Sequence, residues 1–287
     1  STPPLPKPVR LEVVSPGEEP GERARAADVA VIDLGANLGF AGGNNAGIRF
    51  ALAESEVRFV WLLNNDTVVE PDAMAQLVKR MSETPEAGPC GATLCFYQRP
   101  DILQARGGSR YNRWLARAHS LYAEEPVSRP VSRETVERRT DFVIGACMFL
   151  SRNFLETIGL MDERYFLYFE EIDWSVRAGT RFPPVYAPKA MVYHKEGGSI
   201  GSSSQHGGRS AFSEFWLARS KLLFTRKFYP HLLPLIYLVS LAQIVRRLLN
   251  GQIDKARVIL RACLGAKCPV RADRRKPGAP PRYQRAT

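Results

Sequence analysis

A short run of polar residues at the end of an apolar segment is the clearest candidate for chemistry in this 287-residue chain. Residues 59–63 are five consecutive apolar residues of aromatic, β-branched and leucine types, which predicts a buried strand. Asn64, Asn65 and Asp66 follow at once. Open α/β folds bind ligands at the carboxyl edge of the sheet, so Asp66 is suited to hold a divalent cation beside a phosphorylated substrate. The alternative is a turn and an N-cap ahead of a helix that begins near Pro71.

Three carboxylates form a second candidate, directly after the aromatic run at residues 165–169. Glu170, Glu171 and Asp173 fall within four residues, and such charges are costly unless they are solvated, paired or used. Like charges this close raise the pKa of one member, as a general base that works near neutral pH requires. The alternative is an acidic helix N-terminus stabilised by the helix dipole, a role that suits Glu170 or Asp173.

His194 comes just after a predicted strand and just before a Gly/Ser-rich segment at residues 197–208. A single histidine is more often structural than a ligand, but Asp66 supplies a possible metal partner at another strand end. One aspartate and one histidine leave four positions of an octahedral ion open, which suits Mg²⁺ or Mn²⁺ completed by diphosphate oxygens and water. The Gly/Ser segment, with Arg209 at its end, is expected to close over that diphosphate.

A glycine- and asparagine-rich segment at residues 37–47 lies between a predicted strand and a predicted helix. Its four glycines allow close approach of the backbone to a ligand, and a helix N-terminus offers free N–H groups to phosphate. The segment is neither G-x-G-x-x-G nor a P-loop, because the Lys-Ser/Thr ending is missing. Its asparagines favour recognition of a sugar or base edge over a plain linker.

The elements that would position these residues alternate between strands and helices over roughly 200 residues. This order predicts an α/β fold with a mainly parallel sheet covered by helices on both faces. The polar, Arg-rich residues 99–140 interrupt the pattern and are expected to form a hairpin or excursion with little core of its own.

Charge is distributed unevenly along the chain. Residues 1–225 carry 26 Lys/Arg and 27 Asp/Glu, whereas residues 226–287 carry 14 Lys/Arg and only two acidic residues. The net charge of +11 is therefore a property of the tail, which suggests an anionic surface as its partner. The five cysteines are odd in number and lack zinc-knuckle spacing, so a reducing compartment is expected.

The tail itself is predicted to be helical and amphipathic. Residues 232–245 form an apolar stretch of 14 residues interrupted by Pro234, short of the roughly 20 needed to span a bilayer. Residues 248–264 then alternate apolar with basic residues, which favours helices that lie in a membrane interface. The alternative is a terminal helix pair packed on the main domain. We predict a main domain at residues 1–225, interfacial helices at 226–268 and a disordered basic tail at 269–287.

Five motifs in this order resemble inverting, family-2 glycosyltransferases of the GT-A fold, close to the bacterial rhamnosyltransferases of surface-polysaccharide assembly. The resemblance extends over about residues 28–225. The motifs are Asn37-Leu-Gly-Phe-Ala-Gly-Gly-Asn-Asn-Ala-Gly47, Leu62-Leu-Asn-Asn-Asp66, Gly145-Ala-Cys-Met148, Phe169-Glu-Glu-Ile-Asp-Trp174 and His194-Lys-Glu-Gly-Gly-Ser199.

The resemblance implies a role for each motif. Residues 64–66 occupy the family's Asp-x-Asp position, with Asp66 on the metal and His194 as the later ligand. Glu171 falls where the family has the base that deprotonates the acceptor hydroxyl. Donor-binding residues would be Asn37, Gly39, Asn44, Asn64, Asn65, Asp66 and Arg209; acceptor-binding residues would be Gly145, Ala146, Glu170, Asp173 and Trp174.

The chain departs from the family pattern in three places. Asn64 replaces the first Asp of the metal motif, so metal binding would depend more on the diphosphate. Glu171 is one methylene longer than the usual Asp, which leaves the base open among Glu170, Glu171 and Asp173. The family's first strand and its base-binding residues are not found, so the donor site is expected to be N-terminally incomplete.

The function that the resemblance implies is transfer of a sugar, rhamnose or another hexose, from a dTDP- or UDP-linked donor to a glycan or lipid-linked acceptor. The enzyme would work with Mg²⁺ or Mn²⁺ on the cytoplasmic face of a bacterial plasma membrane, held there by residues 226–285. The main rival is a catalytically inactive GT-A-like scaffold. A nucleotidyltransferase usually has a basic glycine-rich loop early in the chain, and this sequence has none. The neutral main domain argues against a protein that binds nucleic acid through its tail.

Overall fold

The computed structural model describes residues 9–195 and 209–269, apart from residues 16, 18 and 19. In chain order the strands are Leu11–Val14 (β1), Val29–Ile32 (β2), Phe59–Leu63 (β3), Thr67–Val69 (β4), Cys90–Phe96 (β5), Arg99–Arg106 (β6), Ser109–Asn112 (β7), Arg117–Ser120 (β8), Cys147–Ser151 (β9) and Val185–His194 (β10). The helices are Glu22–Ala26 (α1), Gly39–Leu52 (α2), Ala73–Ser82 (α3), Arg133–Arg139 (α4), Arg152–Ile158 (α5), Glu170–Ala178 (α6), Ala211–Phe228 (α7), Leu233–Leu249 (α8) and Ile253–Cys263 (α9), with a 3-10 turn at Pro230–Leu232.

The central sheet has six strands in the order β3-β9-β5-β10-β4, with β6 paired to β5 where β9 ends. Only the β5–β10 pair is parallel in this sheet, and β3–β9, β5–β9, β5–β6 and β10–β4 are antiparallel. The prediction of a mainly parallel sheet is therefore wrong. The error arises from β9, which is inserted antiparallel between β3 and β5. These two strands point in the same direction but do not pair with each other.

Alternation along β9 shows how the core is divided into two layers. Cys147 and Phe149 face one side of the sheet with α3, whereas Met148 and Leu150 face the other side with α2, α5 and α6. Successive side chains of a strand point to opposite faces, so a strand covered on both sides must be apolar throughout. All five residues of β9 are buried. The predicted α/β class, with helices on both faces of the sheet, is confirmed.

Strands β1 and β2 form a separate parallel pair. One face of this pair is exposed, with Leu11 and Val13 more than half accessible. No strand connects this pair to β3 among the residues that the structure describes.

The polar excursion at residues 99–140 contains the predicted hairpin, formed by β7 and β8, and also contributes β6 to the central sheet. Helix α4 packs back on the sheet through the fully buried Val136, which contacts Leu121 and Tyr186. The excursion is therefore attached to the main core rather than independent of it.

The C-terminal region is helical, as predicted, and α8 and α9 pack against α7. Pro234 lies in the first turn of α8, where its missing N–H costs nothing, so it begins the helix instead of interrupting it. The 14-residue estimate was therefore too short. Within the described chain, the helical segment Pro230–Leu249 is, by length and composition only, long and apolar enough to cross a membrane; 17% of its apolar window is buried.

Candidate active site

The candidate site lies at one edge of the central sheet, where β3, β5 and β10 end and β4 and β9 begin. Backbone hydrogen bonds connect the turns there: Asn64 N–H donates to the Ala146 carbonyl at 3.0 Å, and Lys195 N–H donates to the Asp66 carbonyl at 2.9 Å. The sequence distances between these partners are large, so the sheet topology alone brings the motifs together. This is the carboxyl edge that the strand pattern predicted.

Asp66 and His194 are in direct contact at this edge. The Asp66 Oδ1 atom lies 3.1 Å from His194 Nε2, and the two side chains are 16% and 10% exposed. Antiparallel pairing of β10 with β4 creates this contact, because it sets His194 opposite Thr67, the residue after Asp66. The convergence predicted from the strand ends is therefore present.

The other imidazole nitrogen is also engaged. His194 Nδ1 lies 2.9 Å from the side-chain oxygen of Gln104 on β6. An amide oxygen only accepts hydrogen bonds, so with the amide in this orientation Nδ1 carries a proton and Nε2 faces the Asp66 carboxylate. Two acceptor atoms 3.1 Å apart need a proton or a cation between them.

This donor set fits a small divalent cation. Neighbouring ligands of an octahedral ion with bonds of about 2.0–2.1 Å lie about 2.9 Å apart, close to the observed separation. The described residues contain no group of three or more His, Cys, Asp or Glu side chains that could hold a metal. Oxygens of a substrate and of water would then complete the coordination of an ion held by this pair.

Glu171, in the first turn of α6, is held against the turn that precedes β9. The Gly145 N–H donates to Glu171 Oε1 at 3.2 Å. A side chain at Gly145 would meet this oxygen and the ring of Phe40, so either side chain would have to move to admit it. Burial raises the pKa of Glu171. A half-buried carboxyl with a raised pKa is suited to accept a proton near neutral pH.

Glu170 is almost fully buried beside it. Its Oε2 atom has no hydrogen-bond partner among the described residues. Burial first, and the neighbouring Glu171 second, raise the pKa of Glu170 well above its usual range. Burial and the unpartnered Oε2 atom both disfavour the charged form of Glu170, so Glu171 is the better placed of the two to act as the base.

The backbone that leads into this pair is strained. Tyr168 and Phe169 have φ angles of +68° and +75°, a left-handed conformation that costs non-glycine residues of order 1–3 kcal/mol. Phe169 is fixed there by ring contacts with Tyr111 and Phe224. Packing from α7 and the β7 hairpin thus determines where α6 begins and where its first carboxylates lie.

The structure gives Asp173 and Trp174 structural roles. Asp173 has no exposed surface and is paired with Lys227 at 2.6 Å and Arg177 at 2.7 Å. Trp174 is fully buried, and its indole N–H donates to the Gly159 carbonyl. Helical periodicity turns both side chains towards the core, and their predicted acceptor-binding role stays a prediction.

The glycine-rich segment is also mostly helix rather than loop, since α2 already begins at Gly39. Gly39 has a φ of +75°, and a side chain there would collide with the Phe166 carbonyl. Asn37 accepts a hydrogen bond from the Gly39 N–H, and Asn44 donates to the Phe40 carbonyl. The segment thus packs tightly beside the site, while the donor-binding role of these residues stays a prediction.

The remaining predicted residues have simple placements. Asn64 is half-buried in the turn between β3 and β4, and Asn65 is exposed. Ala146 is buried, and Arg209 is exposed at the start of the second described range. Sequence reasoning missed Gln104, because a single glutamine in a polar, Arg-rich segment carries no pattern of its own.

Comparison with known proteins identifies the family. The model for glycosyltransferase like family 2 matches residues 18–213, which is more than half of the chain. The chain therefore belongs to glycosyltransferase family 2, as its motifs predicted.

Two curated relatives are similar over part of their length. The low-salt glycan biosynthesis hexosyltransferase of Haloferax volcanii is 29% identical over 161 residues, which cover 53% of this chain and 46% of the relative. The N-acetylglucosaminyl-diphospho-decaprenol L-rhamnosyltransferase of Mycobacterium tuberculosis is 27% identical over 202 residues, 62% of each protein. The chain thus spans about half to three fifths of the length of these relatives.

A solved structure of GalNAc-T7 with UDP, GalNAc and Mn²⁺ is similar over 68% of this chain and 36% of that chain, at 14% identity. Its TM-score of 0.47 supports no further conclusion about this chain.

Proposed function

We propose that this chain carries the catalytic site of an inverting, metal-dependent glycosyltransferase that uses a dTDP- or UDP-linked sugar. One observation supports this most: Asp66 and His194 meet 3.1 Å apart at the sheet edge to which Glu171 is also tied. Two hydrogen bonds connect Glu171 to this edge. The Gly145 N–H donates to the Glu171 carboxylate, and the next residue, Ala146, accepts at its carbonyl from the N–H of Asn64, two residues before Asp66.

Asp66 Oδ1 and His194 Nε2 are the atoms that would hold Mg²⁺ or Mn²⁺. When bound, such an ion neutralises the charge that grows on a departing nucleoside diphosphate. Asn64 and Asn65 would bind the donor at the same edge, and Arg209 is a further proposed donor contact. Asn64 stands where a second carboxylate would bind the ion more strongly, so the diphosphate must supply part of the ligand set.

Glu171 is the proposed base. Its carboxylate takes the proton from an acceptor hydroxyl, and the hydroxyl oxygen bonds to the anomeric carbon from the face opposite the diphosphate. The bond from that carbon to the diphosphate oxygen breaks, and the electron pair leaves with the nucleoside diphosphate. The Gly145 N–H orients the carboxylate for this step. Glu170, whose charged form is disfavoured by burial, would line the acceptor side beside it.

Rhamnose or another hexose is the proposed sugar, because the similar proteins are a hexosyltransferase and a rhamnosyltransferase. The second of these acts, by its name, on a decaprenol-linked sugar. A glycan or lipid-linked acceptor in bacterial surface-polysaccharide synthesis is the corresponding proposal for this chain.

An acceptor of that kind requires the enzyme to reach a membrane, and α8 offers a surface for it. Leu238, Leu241 and Leu249 are 63%, 55% and 82% exposed along one side of the helix. The opposite side is tied to α7 through Gln243, which accepts a hydrogen bond from Lys221, and through Arg247, which pairs with Glu214. If α8 crossed a bilayer, these polar contacts with α7 would be lost. We therefore propose that the enzyme docks peripherally on an anionic inner leaflet.

The test is a donor screen with the full-length protein, measuring released nucleoside diphosphate with and without Mn²⁺. We expect Mn²⁺-dependent release with one donor. In Glu171→Gln this release should fall by about 10²–10⁴-fold, as loss of a general base does. Glu156→Gln, on the exposed face of α5, is the matched control and should leave the rate unchanged.

The inactive-scaffold alternative makes the opposite prediction. It is favoured by Asn64 and requires no turnover with any donor, or a rate that Glu171→Gln leaves unchanged. Either result with folded protein rejects the catalytic proposal.

A further inference from the structure

A β-bulge places one polar side chain of the excursion against the candidate metal pair. In the ladder between β5 and β6, Leu94 pairs with Ala105 and Cys95 pairs with Leu103. Gln104 is therefore the extra residue, opposite no partner of β5. Bulges interrupt strand pairing and re-aim the side chain of the extra residue, and they are over-represented beside active sites.

The re-aimed side chain meets His194. The Gln104 Oε1 atom lies 2.9 Å from His194 Nδ1, and 90 positions separate the two residues in sequence. His194 is 9% exposed and Gln104 is half-buried, so the contact is partly shielded from water. Leu103 and Ala105 on either side of Gln104 are buried at 0% and 1% exposure, which anchors the bulge in the core.

The chemistry of this contact decides what the opposite nitrogen can do. With the amide oxygen facing Nδ1, the proton is fixed on Nδ1 and the lone pair of Nε2 is directed at Asp66. With the amide turned over, its N–H₂ group would donate to Nδ1 and Nε2–H would simply donate to Asp66. Only the first arrangement makes His194 a metal ligand.

We propose that Gln104 is a positioning residue that fixes the tautomer and ring orientation of His194 for metal binding. The proposal rests on the proposed metal site and adds the residue that makes its histidine competent. Outer partners of metal-bound histidines commonly act in this way, and their loss typically costs 10- to 100-fold in metal affinity.

The first experiment measures Mn²⁺ alone, by EPR titration of free ion against the full chain. Gln104→Met has nearly the same shape without the acceptor, and we expect it to weaken Mn²⁺ binding at least tenfold. Gln104→Glu keeps an acceptor oxygen and should restore most of the affinity. Gln76→Met, on the exposed face of α3, is the matched control and should bind as the wild type does. Thermal unfolding of each variant confirms that it is folded.

The second experiment reads the tautomer directly, by two-bond ¹H–¹⁵N correlation of the Mg²⁺-bound protein. The His194 signals are identified by their loss in His194→Asn. We expect the Nδ1–H tautomer in the wild type and a loss of this preference in Gln104→Met. An Nε2–H tautomer in the wild type, or unchanged Mn²⁺ affinity in folded Gln104→Met, overturns the proposal.

Asp66→Asn separates this proposal from the proposed function. If Asp66→Asn abolishes Mn²⁺ binding while Gln104→Met does not, the role of Gln104 is wrong and the metal site stands. If the wild type binds no Mn²⁺, the metal site itself is wrong and the inference about Gln104 fails with it.

Discussion

The sheet edge and the C-terminal helices place polar and apolar groups in opposite ways. At the sheet edge, polar side chains such as Asp66 and His194 gather at strand ends, above two apolar layers. In α8 the arrangement is reversed, because Ser240 is fully buried and donates to the Ile236 carbonyl, while Leu249 is 82% exposed. Both regions contain helices packed on a core, but only one has its apolar residues facing outward.

The two regions therefore differ in what their functions require. The sheet edge needs exact positions of its side chains, whereas the exposed face of α8 needs only apolar side chains. Polar groups at the sheet edge have partners far away in sequence, so each one is positioned by the fold. The exposed leucines of α8 have no such partners among the described residues and need only a matching apolar phase. Substitutions at the edge should therefore abolish chemistry, whereas substitutions on α8 should change location and leave the fold intact.

The largest effect is expected from Asp66→Asn. An amide cannot neutralise a cation as a carboxylate does, so we expect Mn²⁺-dependent sugar transfer to fall by about 10³-fold. Asp72→Asn, at the exposed start of α3, should leave the rate unchanged. Equal rates for Asp66→Asn and the wild type in saturating Mn²⁺ would contradict the role of Asp66.

A large effect on stability is expected from Lys227→Met at the junction of α7 and α6. Lys227 pairs with the fully buried Asp173 at 2.6 Å, while Arg177 holds the other carboxylate oxygen. Loss of this charge-assisted hydrogen bond should cost about 1.5–3 kcal/mol in free energy of unfolding. The exposed pair between Arg49 and Glu163 provides the contrast, and Arg49→Met should cost less than about 1 kcal/mol. Urea denaturation measures both, and equal losses would show that the buried pair is not special.

A smaller effect, confined to membrane binding, is expected from Leu241→Glu. Loss of one buried leucine at an apolar interface costs about 1.5–3 kcal/mol, or roughly tenfold or more in partition to anionic vesicles. Met74→Glu, another exposed apolar residue but on α3, should partition as the wild type does. Co-sedimentation with anionic phosphatidylglycerol vesicles measures the effect. The difference in binding between these and uncharged phosphatidylcholine vesicles gives the electrostatic contribution of the basic tail. A drop in melting temperature for Leu241→Glu would mean that this face packs on protein instead.

The smallest effect is a shift in pH dependence. Because burial raises the pKa of Glu171, its carboxyl is protonated at a higher pH than an ordinary glutamate near 4.3. The base must be ionised, so kcat/KM should fall with decreasing pH at a limb above that value. The raised pKa values of Glu170 and Glu171 mean that the folded chain takes up these protons more readily than the unfolded chain, so mild acid favours the folded state through this pair. An acid limb at or below the ordinary glutamate value would contradict the assignment of Glu171.

Sequence reasoning reached the pairing of Asp66 with His194 because strand ends are readable from apolar runs, and strand ends share an edge. It could not distinguish Glu171 from Asp173. Which face of a helix points to the site and which to the core depends on the elements that pack against it, and the sequence does not reveal these. The role of Gln104 could not be predicted from the sequence, because the position of a bulge depends on how two strands pair. Pro234 was misread for a related reason: a proline interrupts a helix or begins it according to where the preceding turn lies.

The most direct test of the account is anomalous diffraction from crystals of the full chain soaked in Mn²⁺. The account predicts a manganese peak between Asp66 Oδ1 and His194 Nε2, within about 2.2 Å of each atom. Direct contact of the two side chains with no peak between them, in crystals whose soak leaves this edge open to solvent, would contradict it.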